Sequence, residues 1–129
     1  NFIKQGADVI MPVAGPVGAG SGQAALEAEG VYVIGVDTDW YKAPKFDEFK
    51  SLILTSVQKN MSVAVFETIK AGLEGTFTGG KEFYIGTLSN KGVAVSPEHD
   101  VKWGAGIADE VAALEADIVS GKVDVKSAY

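Results

Sequence analysis

A chain of 129 residues, 47% hydrophobic and 22% charged, has the length and composition of a globular domain with a buried core. Its formal net charge of −6 argues against a phosphate-binding surface, and so against nucleic acid as a partner. With no cysteine there can be no disulfide, thiolate-held zinc or cysteine nucleophile, and no apolar run nears the ~20 residues of a membrane helix.

The chain opens Asn1-Phe2-Ile3-Lys4, without initiator methionine or signal peptide, and reads as a processed product or part of something longer. Val9-Ile10-Met11-Pro12-Val13-Ala14 is a nearly continuous apolar run, the pattern of a parallel strand covered on both faces. A glycine-rich loop is expected over residues 15–22, then a short helix carrying Ala24, Ala25, Leu26 and Ala28, with Gly30 ending it at positive φ. Val31-Tyr32-Val33-Ile34-Gly35-Val36 reads as a second buried strand ending on Asp37, which completes a right-handed βαβ unit. Residues 40–50 are polar, contain Pro44, and suggest a loop with a helical turn. Leu52-Ile53-Leu54-Thr55-Ser56-Val57 is a third strand. From Asn60, a candidate N-cap, a helix is expected to Leu73, with Met61, Val65, Phe66, Ile69 and Leu73 at helical spacing. Gly72, Gly75, Gly79 and Gly80 punctuate the loop that follows. Phe83-Tyr84-Ile85-Gly86-Thr87-Leu88 and Gly92-Val93-Ala94-Val95 resemble strands flanking a turn at Ser89-Asn90-Lys91. In the last helix Ile107, Val111, Leu114 and Ile118 share one face, with Asp109, Glu110 and Asp117 largely off it.

Two nucleotide-binding patterns need weighing. Gly20-Ser21-Gly22-Gln23-Ala24-Ala25 fits the G-x-G-x-x-A form of the dinucleotide fingerprint, with Asp37 where a ribose-binding acid would sit. Against it, Gly15-Pro16-Val17-Gly18-Ala19 intervene after the strand, and Pro16 has no amide to offer a phosphate. The plain alternative is a loop whose glycines serve turn geometry. Gly75 to Lys81 spells G-x-x-x-x-G-K, but Glu82 replaces the magnesium-binding hydroxyl and the segment follows a helix, so the match is chance. His99, the sole histidine, lies beside Asp100 with no G-x-S-x-G elbow, and reads as a surface or loop residue. No metal-site spacing is present, and Asn60-Met61-Ser62 is an incidental glycosylation sequon.

Asp37, Asp39 and Lys59 remain. In an open parallel sheet, ligands bind outside the carboxyl ends of the strands, where Asp37 and Lys59 fall. A carboxylate there accepts from vicinal hydroxyls and a lysine supplies donors, which suits a sugar or ribose. A structural ion pair or an N-cap aspartate accounts for the same residues equally well.

These segments resemble the basic membrane protein family of solute-binding lipoproteins, which includes purine-nucleoside receptors of ABC transporters. The resemblance is carried by Gly6-Ala7-Asp8-Val9-Ile10-Met11-Pro12-Val13-Ala14-Gly15, by Val33-Ile34-Gly35-Val36-Asp37-Thr38-Asp39 and by Ile53-Leu54-Thr55-Ser56-Val57-Gln58-Lys59. Gly72, Gly75, Phe77 and the turn before Gly92-Val93 also fit, so nearly the whole chain is covered. The resemblance implies an α/β fold with a three-layer parallel sheet, one lobe of a type I periplasmic-binding-protein fold. Residues 1–129 would be the C-terminal portion of a two-lobe protein, with the preceding lobe, its lipoprotein signal and its base-stacking aromatics absent. It further implies Gly15 near the ribose, Asp37 on its hydroxyls and Lys59 as a polar contact, with no catalysis, cofactor or metal. The implied partners are a nucleoside-like solute and an ABC permease, at the periplasm or outer face of the cell membrane, with lipid anchorage through the absent part. The family often has a second glycine after Gly15, where this chain has Pro16, and Trp40 takes a commonly polar position; both bear on ligand choice.

Two rival readings follow from the same residues: a Rossmann-like nucleotide-dependent oxidoreductase, and the effector-sensing domain of a regulator built on the same fold. Finally, Val63, Ala64 and Ala71 add to the stripe of the helix after Asn60, leaving too many apolar positions for one face. In the two-lobe fold this helix packs on the other lobe. The isolated chain is therefore expected to expose it, to self-associate, and to bind nucleosides weakly or not at all.

Overall fold

Two of the strands form as the apolar runs require, a third is cut short, and a fourth joins them. The computed structural model describes residues 1–80 and 84–126. In chain order the elements are β1 (Val9–Ile10), α1 (Ala19–Leu26), β2 (Tyr32–Asp37), β3 (Ile53–Lys59), α2 (Met61–Leu73), β4 (Val93–Val95) and α3 (Ile107–Val119). The four strands make one sheet in the order β1-β2-β3-β4. β1 runs parallel to β2, with Val9 opposite Tyr32, and β2 runs parallel to β3, with Asp37 opposite Gln58. The β2–β3 register slips between Val33 and Ile34. Ser96 N donates to Ser56 O and Asn60 N to Gly92 O, so partner numbers fall along β3 as its own rise, and β4 is antiparallel to it. The sheet is thus mostly parallel, in an α/β fold.

The chain divides into two compact units, Asn1–Gln58 with Val95–Ala108, and Lys59–Ala94 with Asp109–Tyr129. The first contains the core: Ala25, Val31, Val33, Val36, Trp40, Phe46, Phe49 and Ile53 are all buried. Residues 40–50 hold more helix than their polarity suggests, in 3₁₀ segments Trp40–Lys42 and Pro44–Leu52. Nine residues is long for a 3₁₀ helix, but its threefold repeat puts Phe46, Phe49 and Leu52 on one face, towards the core. Trp40 stacks on Phe46 with ring centroids 3.9 Å apart and planes at 14°.

Two expectations in this unit are corrected. The apolar run from Val9 pairs over only two residues, because Pro12 has no amide for a ladder; Val9, Met11 and Val13 are exposed instead of covered. The glycine-rich stretch is not a loop through Gly22. A 3₁₀ turn spans Gly15–Gly18, and α1 begins at Ala19 and contains Gly20 and Gly22. A Cβ on Gly22 would lie 2.8 Å from the Phe49 ring, so that glycine serves packing. The helix ends at Leu26, and Gly30 takes φ 71° four residues later.

In the second unit Asn60 is no side-chain cap: its Nδ2 donates to Lys91 O at 2.7 Å. The turn over residues 88–91 forms as expected, organised by Asn90, whose Oδ1 accepts from Thr87 N and Gly92 N while Nδ2 donates to Ile85 O. Those bonds occupy backbone groups that a strand would need, and residues 84–87 form none; Phe83 lies outside the described residues. Met61, Val65, Phe66, Ile69 and Leu73 of α2 are each more than half exposed, and neither α2 nor α3 has a buried residue.

The contrast between two glycines of α1 is testable. Gly22→Ala should destabilise the protein by about 1–3 kcal/mol through overpacking against buried Phe49. Gly20→Ala, with nothing within 4 Å of its added carbon, should stabilise it by about 0.5–1 kcal/mol. Urea denaturation of the two variants beside the parent gives both signs.

Candidate functional site

The exit of β2 holds the one non-glycine residue at positive φ among the described residues of the first unit. Thr38 N bonds to Val36 O at 2.9 Å across Asp37, which has φ 70°. This is the positive-φ form of the γ-turn, rare for a residue with a side chain. Val36 O also accepts from Trp40 Nε1 at 3.0 Å, and Trp40 N donates to Ser56 Oγ at 3.0 Å. Ser56 N in turn donates to Ser96 Oγ at 2.8 Å, and Thr55 Oγ1 to Ser96 O at 2.7 Å. The indole fits because position 35 is glycine: a Cβ there would be 2.5 Å from Trp40 Cγ and 2.4 Å from Ser56 Oγ. Trp40 is therefore a core residue, 1% exposed, and does not reach a solute at the surface of this unit.

Beyond Asp37 the chain turns back on Asp39. The Asp39 carboxylate accepts from Tyr41 N at 3.2 Å and meets His99 Nε2 at 3.2 and 3.1 Å through its two oxygens. The His99 ring stacks on Tyr41, centroids 4.1 Å apart and planes at 9°, and Tyr41 Oη donates to Asp100 Oδ1 at 2.7 Å. His99 is thus a loop residue but no surface one: its side chain is 11% exposed, and that of Asp39 8%. Sixty residues separate the pair, and no spacing rule joins them.

The expected ligand contacts divide between the two units. Gly15, exposed with φ 55°, opens the 3₁₀ turn after β1, and Asp37 closes the neighbouring parallel strand; both belong to the first unit. Lys59 is the last residue of β3 and belongs to the second. There it borders a pocket of ≈ 280 Å³ lined also by Asn60, Met61, Ala64 and Tyr84. Asp37 and Lys59 both have interaction partners.

The dinucleotide fingerprint is not built as one. Gly20 and Gly22 lie inside α1 and not in a loop between strand and helix, so they do not form a loop that cradles a pyrophosphate. Of the G-x-x-x-x-G-K segment, Gly75, Gly79 and Gly80 have positive φ after α2, while Lys81 and Glu82 lie outside the described residues. Among the described residues no group of three His, Cys, Asp or Glu side chains could hold a metal ion.

Over residues 1–127 the chain matches the family model described as Bmp, ABC transporter substrate-binding protein PnrA-like. Among solved structures it resembles an ABC transporter solute-binding protein from Conexibacter woesei, at 24% identity and TM-score 0.68, over 97% of this chain and 39% of that one. It resembles a transcriptional activator of the comK gene from Bacillus halodurans at 21% identity and TM-score 0.70, over 99% of this chain and 41% of that one. ABC transporter solute-binding proteins from Aeropyrum pernix match at 24% identity and TM-score 0.65, over 99% of this chain and 43% of that one. At these identities the likeness is one of fold. The chain spans about two fifths of each relative's length.

The Tyr41–Asp100 bond has a consequence for titration. The hydrogen bond to the Asp100 carboxylate, then burial, pushes the Tyr41 phenol above its ordinary value of 10.0. A phenol raised on folding contributes stability that is complete below the unfolded pKa and is lost as pH rises through the folded one. Asp100→Asn removes the charge and should return the Tyr41 midpoint towards 10.0, read from its ring resonances by NMR. An unmoved midpoint would sever the link.

Proposed function

The chain belongs to the family of PnrA-like ABC transporter substrate-binding proteins, and from that membership we propose that it captures a nucleoside for an ABC permease. The match over residues 1–127 carries the reading. In it, the chain is the C-terminal portion of a two-lobe protein, and the solute lies in the cleft that the lobes close. Gly15 approaches the ribose, Asp37 accepts hydrogen bonds from its vicinal hydroxyls, and Lys59 donates to a polar group of the solute. The chemistry is capture without turnover, since the family binds substrates for transport. The protein works at the periplasm or outer face of the membrane, held by a lipid. Among the described residues no helix is long and apolar enough to cross a bilayer.

Two observations support a ribose at Asp37. The residue terminates a parallel strand, the end at which open α/β sheets receive ligands. Its positive φ also holds a side chain in a backbone state of the kind that concentrates at ligand sites. The second reading, an effector-sensing module, draws on the resemblance to the Bacillus halodurans protein described as a transcriptional activator. A DNA-binding segment upstream of this chain, in place of a lipoprotein signal, would favour it.

Asp37→Ala in the whole protein should lose at least ~2 kcal/mol of nucleoside binding, because ribose hydroxyls are left unpaired in a closed cleft. Calorimetry with adenosine, guanosine and inosine measures it, and unchanged affinity would remove Asp37 from the site. The 129-residue chain by itself should self-associate through the exposed apolar residues of α2. Sedimentation of a clean monomer at high concentration would count against that.

A further inference from the structure

Asp37 occupies a backbone state that needs support from outside itself. A side chain in the left-handed region is a strain of the kind that persists only where the surrounding structure over-determines it. The γ-turn bond from Thr38 N to Val36 O is one restraint, and it is short-range and bent by nature. Two further sets of contacts grip the chain on the C-terminal side of the turn. The inner set is Trp40, whose indole N–H shares Val36 O and whose backbone amide is held by Ser56. The outer set begins at Asp39, two residues from Asp37, and ends on the segment over residues 96–104.

In this outer set the His99 Nε2–H donates to the Asp39 carboxylate, within 3.2 Å of both oxygens, while Asp39 also accepts from Tyr41 N. Because the carboxylate is only an acceptor, the imidazole nitrogen facing it must carry the proton. Tyr41 packs flat on the imidazole and is anchored at its hydroxyl by Asp100, so ring and carboxylate are fixed together. Lys42 Nζ, 3.6 Å from Asp39 and 71% exposed, is the other charged partner among the described residues and is screened by water. His99 is the principal partner of a nearly buried carboxylate. Removing His99 deprives residues 38–41 of that outer hold.

We propose that His99 is a positioning residue for the solute site: through Asp39 and Tyr41 it holds the turn that keeps Asp37 in its strained orientation. The inference rests on the reading of Asp37 as a ligand contact. Apparent affinity falls in proportion to the fraction of molecules in the binding-competent state, so releasing the turn weakens binding without removing any group that touches the solute.

The test compares His99→Ala, His99→Gln, His99→Phe and Asp37→Ala with the parent in the whole protein. One readout is calorimetric binding of guanosine and inosine; the other is hydrogen exchange of the Thr38 amide. His99 is the sole histidine, so its replacement leaves no other imidazole in this chain to confuse the result. His99→Ala should weaken binding about tenfold, the effect of a competent population reduced to roughly a tenth. Thr38 exchange should accelerate in the same variant. His99→Gln, which keeps an N–H for Asp39, should restore most of both; His99→Phe, which keeps only the stack, should not. A purely structural role would lower stability without selectively accelerating Thr38 exchange and without rescue by Gln. Affinity in His99→Ala within about twofold of the parent, or unchanged Thr38 exchange, overturns the proposal. If Asp37→Ala binds as tightly as the parent, or the parent binds neither nucleoside, it is the ligand role of Asp37 that fails. The exchange comparison still decides the clamp in that case. Should His99→Ala not fold, the Gln and Phe variants make the same comparison.

Discussion

The first unit is organised around burying one indole. Trp40 leaves β2 three residues after its last rung and folds back beneath it, where its N–H and amide both find partners and its ring lies on Phe46. A tryptophan fully withdrawn from water brings a large apolar surface, but it demands room and a partner for its polar edge. Room comes from glycine at 18 and 35, each with Trp40 atoms within 3.2 Å of where a Cβ would stand. The polar demand is met by Val36 O and by the hydroxyl of Ser56, itself fully buried and passed on to Ser96. Satisfying the indole therefore fixes the spacing of β2, β3 and the residue after β4.

Much of the architecture was legible because hydrophobic runs respond to burial in a local, periodic way. β2, β3, α2 and α3 fall where apolar runs and helical spacing put them, to within a residue or two. What escaped was tertiary. Gly22 reads as a flexible loop residue until Phe49 is seen lying against it, and Asn60 reads as a cap until Lys91 O takes its amide. Asn90 replaces a strand's ladder with its own side chain, a choice that composition does not announce. The β1 run is the exception, since Pro12 was visible and its missing amide should have shortened that strand from the start.

The candidate site was legible in a different manner. Gly15, Asp37 and Lys59 came from a resemblance, supported by a general rule about strand ends, and the chemistry of the residues alone left an ion pair or a cap equally open. The structure adds a feature that neither route offered, the positive φ of Asp37. It also withdraws Trp40 from ligand choice by burying it, while Pro16 keeps its place in the turn that Gly15 opens. His99 and Asp39 were each noticed, but their meeting depends on the path of the chain over a sequence separation of 60.

That path has a bearing on how the protein is made. The first unit is interrupted in sequence: its opening segment ends at Gln58, and its closing segment begins only at Val95. During synthesis Thr55, Ser56 and Asp39 emerge well before Ser96 and His99, the residues that satisfy them. At about 5–20 residues per second, the forty residues from Ser56 to Ser96 take roughly 2–8 s to be made, and the sixty from Asp39 to His99 roughly 3–12 s. For those intervals Thr55 Oγ1, Ser56 N and the Asp39 carboxylate lack these partners and stay open to water. Completion waits on contacts of long sequence separation, the kind that slow folding and leave an intermediate open to chaperones. A chain circularly permuted to begin at Val95 would deliver Ser96 and His99 first, so that Thr55, Ser56 and Asp39 would meet partners already made.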